Sequence, residues 1–238
     1  MRDKLFTQES DISEFAFDKK VVEVFDNMVL RSVPGYKQML ELIGLAGRTY
    51  PTPNSNIYDL GCSTGAATLA VLSNLKLESV KIFAVDNSKD MLHQCKDNLS
   101  HVKGDIQYVY DDITDVKIKN ASLIILNLTL QFISTKNRSV LVKHIFDNLL
   151  PGGALIISEK IVYEDNETNR IFTSLHESFK KENGYSDTEI AKKRKAIENV
   201  LIPESIEQHL KRLHNVGFRK PLVQMQCINF ASFLAVKN

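Results

Sequence analysis

The residues that can do chemistry begin in the run Tyr58-Asp-Leu-Gly-Cys-Ser-Thr-Gly-Ala-Ala-Thr68, which contains a short apolar segment and then small residues. This spacing makes a sharp turn between a strand and a helix. Gly61 lets the backbone reverse, and Gly65 lets helix and strand approach closely. The helix start so placed offers unpaired N–H groups to a ligand, the chemistry of holding a nucleotide. The usual dinucleotide fingerprint has Gly where Ser63 stands, so a pyrophosphate fits this turn less well. Further polar residues end later apolar runs in the order a nucleoside needs. Asp86 suits two ribose hydroxyls, with Asn87 beside the adenosine. Asp112 can accept from an adenine amino group, and Ile113 can donate its backbone N–H. Asn127 and the Gly61-Cys62-Ser63 backbone lie where they can approach the rest of such a ligand. Any one of these acids could be a solvated turn or a helix cap; their common order along one sheet argues for a site.

Two more side chains come from helical patterns. Ile190, Ile197 and Leu201 draw an apolar stripe, and Arg194 falls on it, while Lys192, Lys193 and Lys195 point elsewhere. A guanidinium there keeps its charge and needs an anion, and a bidentate clamp on a carboxylate suits it. Snorkelling to the surface, or an ion pair with an acid such as Glu159, is the plainer alternative. The basic run 192–195 also suits a solvated face or a weak RNA contact. Tyr36 shares a stripe with Leu40 and Ile43, so its ring points inward and its hydroxyl needs either a ligand or a core carbonyl. The six histidines lie at no metal spacing, so no metal is expected and no histidine is given a role.

These residues need elements to position them. Strands are expected at 56–60, 81–85, 106–110, 121–126 and 154–159, with helices between them, and two closing strands at 218–226 and 229–236. Ser88 is expected to cap the helix carrying Met91, Leu92 and Cys95, and Pro151-Gly-Gly to stop a helix over 138–149. Residues 1–16 read as a loose arm. One helix is expected over 17–30, and Ser32 is expected to cap a second with Pro34 in its first turn. Tyr50-Pro-Thr-Pro-Asn-Ser reads as a linker. The expected division is therefore an N-terminal arm and helical cap, 1–50, and a sheet domain, 51–238. Within the latter, 161–202 reads as a helical insert whose first helix presents Ile171, Phe172, Leu175 and Phe179 on one face. The alternation predicts an α/β, Rossmann-like, seven-stranded and mostly parallel sheet with one antiparallel strand near its edge.

The 238 residues carry 30 basic and 29 acidic side chains for a net charge of +1, which disfavours wholesale nucleic-acid binding. Three scattered cysteines give no disulfide framework and suggest a reducing, cytoplasmic setting. No signal peptide is expected from the first residues, and the most apolar stretch, 121–133, is too short and polar to span a membrane.

The turn Asp59-x-Gly61-x-x-x-Gly65 resembles the first motif of the S-adenosylmethionine (SAM) dependent class I methyltransferases. The likeness narrows with Arg31-Ser-Val-Pro-Gly-Tyr36, Asp86-Asn-Ser88, Asn127-Leu-Thr-Leu-Gln-Phe132, Pro151-Gly-Gly-Ala154 with Ser158-Glu-Lys160, and Asn183-Gly-Tyr185 with Lys193-Arg194. Together these resemble the carboxy-S-adenosyl-L-methionine synthase family over nearly the whole chain. The resemblance implies an enzyme that takes SAM and prephenate as substrates and forms carboxy-SAM, phenylpyruvate and water. It implies a homodimer, and a downstream tRNA carboxymethyltransferase that uses the product at the wobble uridine. It places Tyr36, Gly61, Cys62, Ser63, Asp86, Asn87, Asp112, Ile113, Asn127 and Arg194 around the ligand, with Arg194 and Tyr36 closest to the chemistry. A conventional SAM-dependent methyltransferase on a small acid or RNA base, and a SAM-binding module without turnover, are the competing readings.

Overall fold

The computed structural model describes residues 19–238; the expected arm at 1–16 and Phe17 lie outside them. Five parallel strands form the body of the sheet: β1 (Asn56–Leu60), β2 (Lys81–Asp86), β3 (Asp105–Tyr110), β4 (Ala121–Asn127) and β5 (Leu149–Lys160). A hairpin of β6 (Leu222–Cys227) and β7 (Phe230–Val236) completes it, in the order β3-β2-β1-β4-β5-β7-β6. β7 is antiparallel to β5, and β6 to β7. This is the seven-stranded, mostly parallel sheet the alternation predicts. β4 shows why it forms: Ala121 through Leu126 are all fully buried, as a strand covered on both faces must be. β5 starts at Leu149, earlier than expected. Leu149 pairs with Ala121, and Gly152 donates its N–H to Lys237, so the Pro-Gly-Gly that ends the helix also enters the strand through a register shift.

Helices cover both faces. α1 (Lys19–Val22), α2 (Phe25–Ser32) and α3 (Tyr36–Thr49) precede β1; α4 (Ala66–Leu72), α5 (Lys89–Leu99) and α6 (Thr135–Asn148) follow β1, β2 and β4. α7 (Asn166–Glu182) and α8 (Asp187–Ile197) stand between β5 and α9 (Ile206–Val216). One face packs Ile57, Leu123, Ile125 and Ile156 beneath Ile43 of α3 and Val71 of α4. The other packs Tyr58, Ile124, Leu126 and Ile157 against Leu141 and Ile145 of α6 and Leu213 of α9. Ser88 caps α5 as expected, its Oγ accepting from Met91 N at 3.2 Å.

Three local expectations are corrected. The helix expected over 17–30 is two, broken between Val22 and Phe25, where β-branched Val21, Val22 and Val24 weaken a continuous helix. Ser32 caps nothing: α2 runs through it, and its Oγ donates back to Met28 O at 2.6 Å. Gly35, at φ 76°, precedes α3 instead, and a Cβ there would meet Met225 Cε at 2.8 Å. On α7, Ile171 and Leu175 are 50% and 47% exposed, while His176 is the buried residue. The expected face is therefore split: Ile171 and Leu175 turn outward, while Phe172 and Phe179 are half-buried, Phe172 stacked on Tyr163 with ring centroids 4.5 Å apart.

The strand order reverses between β1 and β4, so a crevice opens beyond their carboxyl ends. Arg138 fixes one wall of it. Its guanidinium, 1% exposed, donates to Ile133 O at 2.8 Å, Gln131 O at 3.1 Å and Ile202 O at 2.7 Å, and pairs with Glu204 at 2.6 Å. Arg138→Met leaves Glu204 and three carbonyls short of a buried partner. The variant should lose about 3–5 kcal/mol of stability in urea unfolding; a loss under 1 kcal/mol would show that water replaces the guanidinium without cost.

Candidate active site

A cavity of about 380 Å³ occupies the crevice. Its floor is the turn after β1. Gly61 sits at φ 82°, and a Cβ there would lie 2.5 Å from Thr129 Cγ2, so Gly is required both by conformation and by the close approach of the 128–132 loop. Two non-glycine residues beside the cavity adopt left-handed backbone: Ser63 at φ 47° and Leu128 at φ 61°. Such strain persists where the surroundings over-determine it, which is typical of ligand clamps.

Asp86 ends β2 and faces this floor. Its two oxygens accept Ser63 N and Ser88 N, each at 2.9 Å, which aims the carboxylate and joins the β1 and β2 turns. Burial pushes its carboxyl up, and those two N–H bonds pull it back. Asp112 is held by its own turn, accepting from Thr114 N and Oγ1 at 2.9 and 2.7 Å. Asn127 ends β4 with its Oδ1 buried and without a partner among the described residues, an acceptor open to a ligand. Asp59, under the floor, takes Thr68 Oγ1 at 2.6 Å on one oxygen and, among the described residues, nothing on the other; burial pushes it up to about 6. Burial, then the charges of Asp26 and Asp59, keep the Tyr36 hydroxyl protonated, and it has no hydrogen-bond partner among the described residues.

Tyr36, Gly61, Cys62, Ser63, Asp86, Asn87, Asp112, Ile113 and Asn127 therefore line one cavity. Arg194 does not. Its side chain is 57% exposed, pairs with Glu177, and lines an adjoining chamber of about 230 Å³. Glu159 is not its partner. The expected stripe is also corrected. α8 ends at Ile197, so Leu201 lies beyond it, and positions 193 and 194 flank the line from 190 to 197 on opposite sides. The side bearing Glu189, Ile190 and Lys193 is the one that packs inward.

The residues missed in sequence lie at the other end of the cavity. Lys160, His176, Lys180 and Lys193 line it, and Lys160, His176 and Lys180 also line the adjoining chamber. Lys193 Nζ donates to Ser32 Oγ at 2.7 Å, and a ring nitrogen of His176 meets Ser32 O at 2.7 Å. Glu159 was also unread as a structural group: it accepts Thr129 N, Leu130 N and Gln131 N at 3.1, 2.8 and 3.0 Å. The available signals were Lys160 directly after an apolar strand and a helix whose apolar residues bracket His176. No group of three or more potential metal ligands occurs among the described residues, nor is any described helix long and apolar enough to cross a membrane.

The sheet order, with a Gly turn after β1 and polar residues at successive strand ends, defines a class I SAM-dependent methyltransferase fold. A family model described as a methyltransferase domain matches residues 57–153. Among solved structures, a putative SAM-dependent methyltransferase from Methanococcus maripaludis superposes with a TM-score of 0.64 at 19% identity, covering 97% of this chain and 98% of that one. Human N-acetylserotonin methyltransferase in complex with SAM gives 0.63 at 18% identity, covering 92% and 55%. Two sequence relatives lie much nearer. The carboxy-S-adenosyl-L-methionine synthase of Ruthia magnifica is 48% identical over 237 residues, covering all of both chains, and that of Yersinia enterocolitica is 44% identical, covering 99% of this chain and 90% of its own. The chain belongs to the carboxy-S-adenosyl-L-methionine synthase family.

His176 yields a test of this end of the site. Burial, then Lys180, pushes its imidazole down to about 3 despite the Ser32 carbonyl. The folded protein thus holds it neutral, while the unfolded chain protonates it near pH 6.5. The neutral ring's contribution is complete above pH 6.5 and is lost as pH falls toward 3. The stability gap between wild type and His176→Gln should shrink by up to about 1.4 kcal/mol per pH unit between pH 6 and 4. Unfolding curves across that range check it; a constant gap would mean His176 titrates normally.

Proposed function

We propose that the chain converts SAM and prephenate to carboxy-SAM, phenylpyruvate and water, supplying the carboxymethyl donor that a separate tRNA enzyme uses to form 5-oxyacetyluridine at the wobble position. The observation that carries this reading is the 48% identity to a carboxy-SAM synthase along the whole chain, helical cap and insert included. The site's geometry agrees with it. The Gly61–Ser63 backbone and the unpartnered Asn127 Oδ1 suit the ammonium and carboxylate end of SAM. Asp86 suits the ribose hydroxyls, Asp112 and Ile113 the adenine edge, and Asn87 the adenosine face. Tyr36 reaches in from the cap with a hydroxyl that has no partner among the described residues.

The chemistry balances without a strong side-chain base. Prephenate becomes aromatic by losing its ring carboxylate as CO2 and its ring hydroxyl as hydroxide. A sulfonium acidifies its methyl protons. The hydroxide takes one of them to form water, and the carbanion adds to the CO2. What the protein must supply is alignment, exclusion of water, and charges that hold the reacting ions. His176, kept neutral, is not asked to titrate. Arg194 is the group we assign to the new carboxylate. The exposure of Arg194 on α8, and of Ile171 and Leu175 on α7, favours a homodimer that covers these helices with a second copy. The free cysteines fit a cytoplasmic setting.

Mass spectrometry after incubation with SAM and prephenate tests the reaction. Carboxy-SAM with phenylpyruvate supports it; S-adenosylhomocysteine formed with an added acceptor, or unchanged SAM, would overturn it. Asp86→Ala should weaken SAM binding by roughly 1.5–3 kcal/mol through lost charge-assisted bonds to ribose; unchanged calorimetric affinity in a folded variant would remove Asp86 from the site. Arg194→Ala should weaken carboxy-SAM binding more than SAM binding, by on the order of 2–5 kcal/mol if the clamp is bidentate and desolvated in the complex. Arg194→Lys should restore only part, lacking the planar fork. Equal losses for the two ligands would leave Arg194 a structural residue.

A further inference from the structure

The β6–β7 hairpin closes on two residues, Ile228 and Asn229, between the paired Cys227 and Phe230. Ile228 stands at φ 52°, left-handed backbone that a β-branched side chain adopts only under constraint. Gly or Asn is the relaxed choice in a hairpin loop of this length. The constraint comes from the segment at and after the end of β5. Ile228 O accepts from Tyr163 Oη at 3.0 Å, and Asn229 O accepts from Ile161 N at 2.9 Å. The strained turn is thereby pinned beside the site, and Asn229 lines the chamber of about 230 Å³ that adjoins the main cavity.

The orientation of the Asn229 amide follows from its neighbours. His176 faces Ser32 O with Nε2 at 2.7 Å, and a carbonyl only accepts, so Nε2 carries the proton. Burial, and then the charge of Lys180, keep the ring neutral, so Nδ1 is a bare acceptor. Asn229 Nδ2 lies 3.4 Å from that nitrogen and donates to it. The amide therefore gives an N–H to the histidine and turns its Oδ1 away from it. Asn229 is 5% exposed, and Oδ1 is buried with no partner among the described residues. A buried amide oxygen left without a donor is costly and calls for one from a ligand.

The rest of the chamber sets the chemistry of that ligand. Its charged side chains are Lys160, Lys180, Arg194, Glu177 and Glu198. Arg194 and Glu177 pair with each other, and Glu198 is exposed. No carboxylate pairs with Lys160 or Lys180 among the described residues. Two ammonium groups therefore give the chamber its charge, which admits an anion and turns away a cationic donor. The donor that reaches Asn229 Oδ1 is then an uncharged hydroxyl, on a molecule that also carries a carboxylate.

We propose that Asn229 Oδ1 accepts the hydroxyl hydrogen of a small hydroxy acid, which makes Asn229 a specificity-determining residue for the second substrate. His176 and Ser32 act through it as positioning residues, since they fix which end of the amide faces away from the histidine. Naming the hydroxy acid as prephenate rests on the reaction proposed above. There the ring hydroxyl leaves as hydroxide and takes a methyl proton. With its own hydrogen held by Asn229, the oxygen keeps its lone pairs free for that proton.

The full-length protein and its Asn229→Leu and Asn229→Ala variants test the assignment with two readouts. Binding is read by calorimetry with cis-4-hydroxycyclohexanecarboxylate against cyclohexanecarboxylate, which differ by one hydroxyl. Wild type should bind the hydroxy acid about tenfold more tightly. Both variants should lose that preference while their SAM affinity stays within twofold. In turnover, each variant should raise KM for prephenate at least tenfold. His176→Leu removes the acceptor that orients the amide, so it should reduce the hydroxyl preference and leave affinity for cyclohexanecarboxylate within twofold; a merely structural role would move both acids together. Equal wild-type affinities for the two acids, a comparison that needs no variant, would overturn the assignment. So would a preference that survives in the Asn229 variants, an unchanged KM, or a parallel loss of SAM affinity. An unchanged preference in His176→Leu would overturn its positioning role. If carboxy-SAM forms but the hydroxyl earns no preference, Asn229 fails and the reaction stands. If the preference behaves as expected but wild type makes no carboxy-SAM, the hydroxyl site stands and the proposed reaction fails.

Discussion

Three backbone N–H groups converge on the Glu159 carboxylate, and the shape of the site depends on that convergence. Glu159 is fully buried at the end of β5. By taking Thr129, Leu130 and Gln131 it fixes the 3₁₀ turn over Leu130–Phe132 directly after Asn127. Burial pushes its carboxyl up, and the three donors and the Arg138 guanidinium pull it back toward the charged form. A carboxyl group suits them because its two oxygens together offer lone pairs for all three N–H groups. Two consequences follow from the fixed turn. Thr129 is held against Gly61, which excludes any side chain at that position. Leu128 is held in left-handed backbone, at a cost on the order of 1–3 kcal/mol that the anchored turn must offset.

The same anchor joins the two chemically different halves of the cavity. Gln131, whose N–H goes to Glu159, turns its side-chain oxygen to the N–H of Lys160 at 3.1 Å. Lys160 thus begins where the anchored turn ends. On one side lie Asp59, held by Thr68 of α4, Asp86, held from the turns after β1 and β2, and Asp112, held by Thr114 of its own turn. On the other lie Lys160, Lys180 and Lys193, brought in by β5, α7 and α8. The first half comes with any sheet of this topology, since strand ends are where its polar residues face a crevice. The second half exists only because helices are inserted between β5 and α9. The fold therefore supplies the strand-end half of the cavity, and the helices between β5 and α9 bring Lys180 and Lys193 to the other half.

That division explains what was legible in the sequence. Gly61, Asp86, Asp112 and Asn127 could be placed because each follows an apolar run whose strand character and end are set locally, and parallel strands carry their ends to one side of the sheet. Tyr36 was legible because Leu40 and Ile43 share its helical face. Lys193 was not, because positions 193 and 194 flank the same apolar line, and only the packing of α8 decides which enters. His176 and Lys180 were hidden for a related reason: on α7 the apolar residues Ile171 and Leu175 face outward, so amphipathic pattern pointed the helix the wrong way. A pattern of apolar residues reports that a face is covered, but not by which surface; a face turned toward another copy reads the same as one turned toward the core. Ser32 misled in the opposite direction, since a hydroxyl before a Pro-Gly pair looks like a cap, whereas here it bonds backward to Met28 O and sideways to Lys193.

The electrostatic arrangement also accounts for the absence of an obvious base. Burial alone pushes Asp59 and Glu159 up and His176 down, so the interior groups best placed to titrate are displaced from their ordinary range by their surroundings. His176 illustrates the effect: packed edge-on to Phe230 with a ring nitrogen on Ser32 O, it is held neutral first by burial and then by the charges of Lys180, Lys160 and Lys193. Surroundings that keep this buried histidine neutral suit the proposed reaction, in which the proton acceptor leaves the substrate itself. In such a site the protein's contribution is the placement of groups before the reactants arrive, which is why residues that hold a shape, Glu159 and Arg138, matter as much as those that line the cavity.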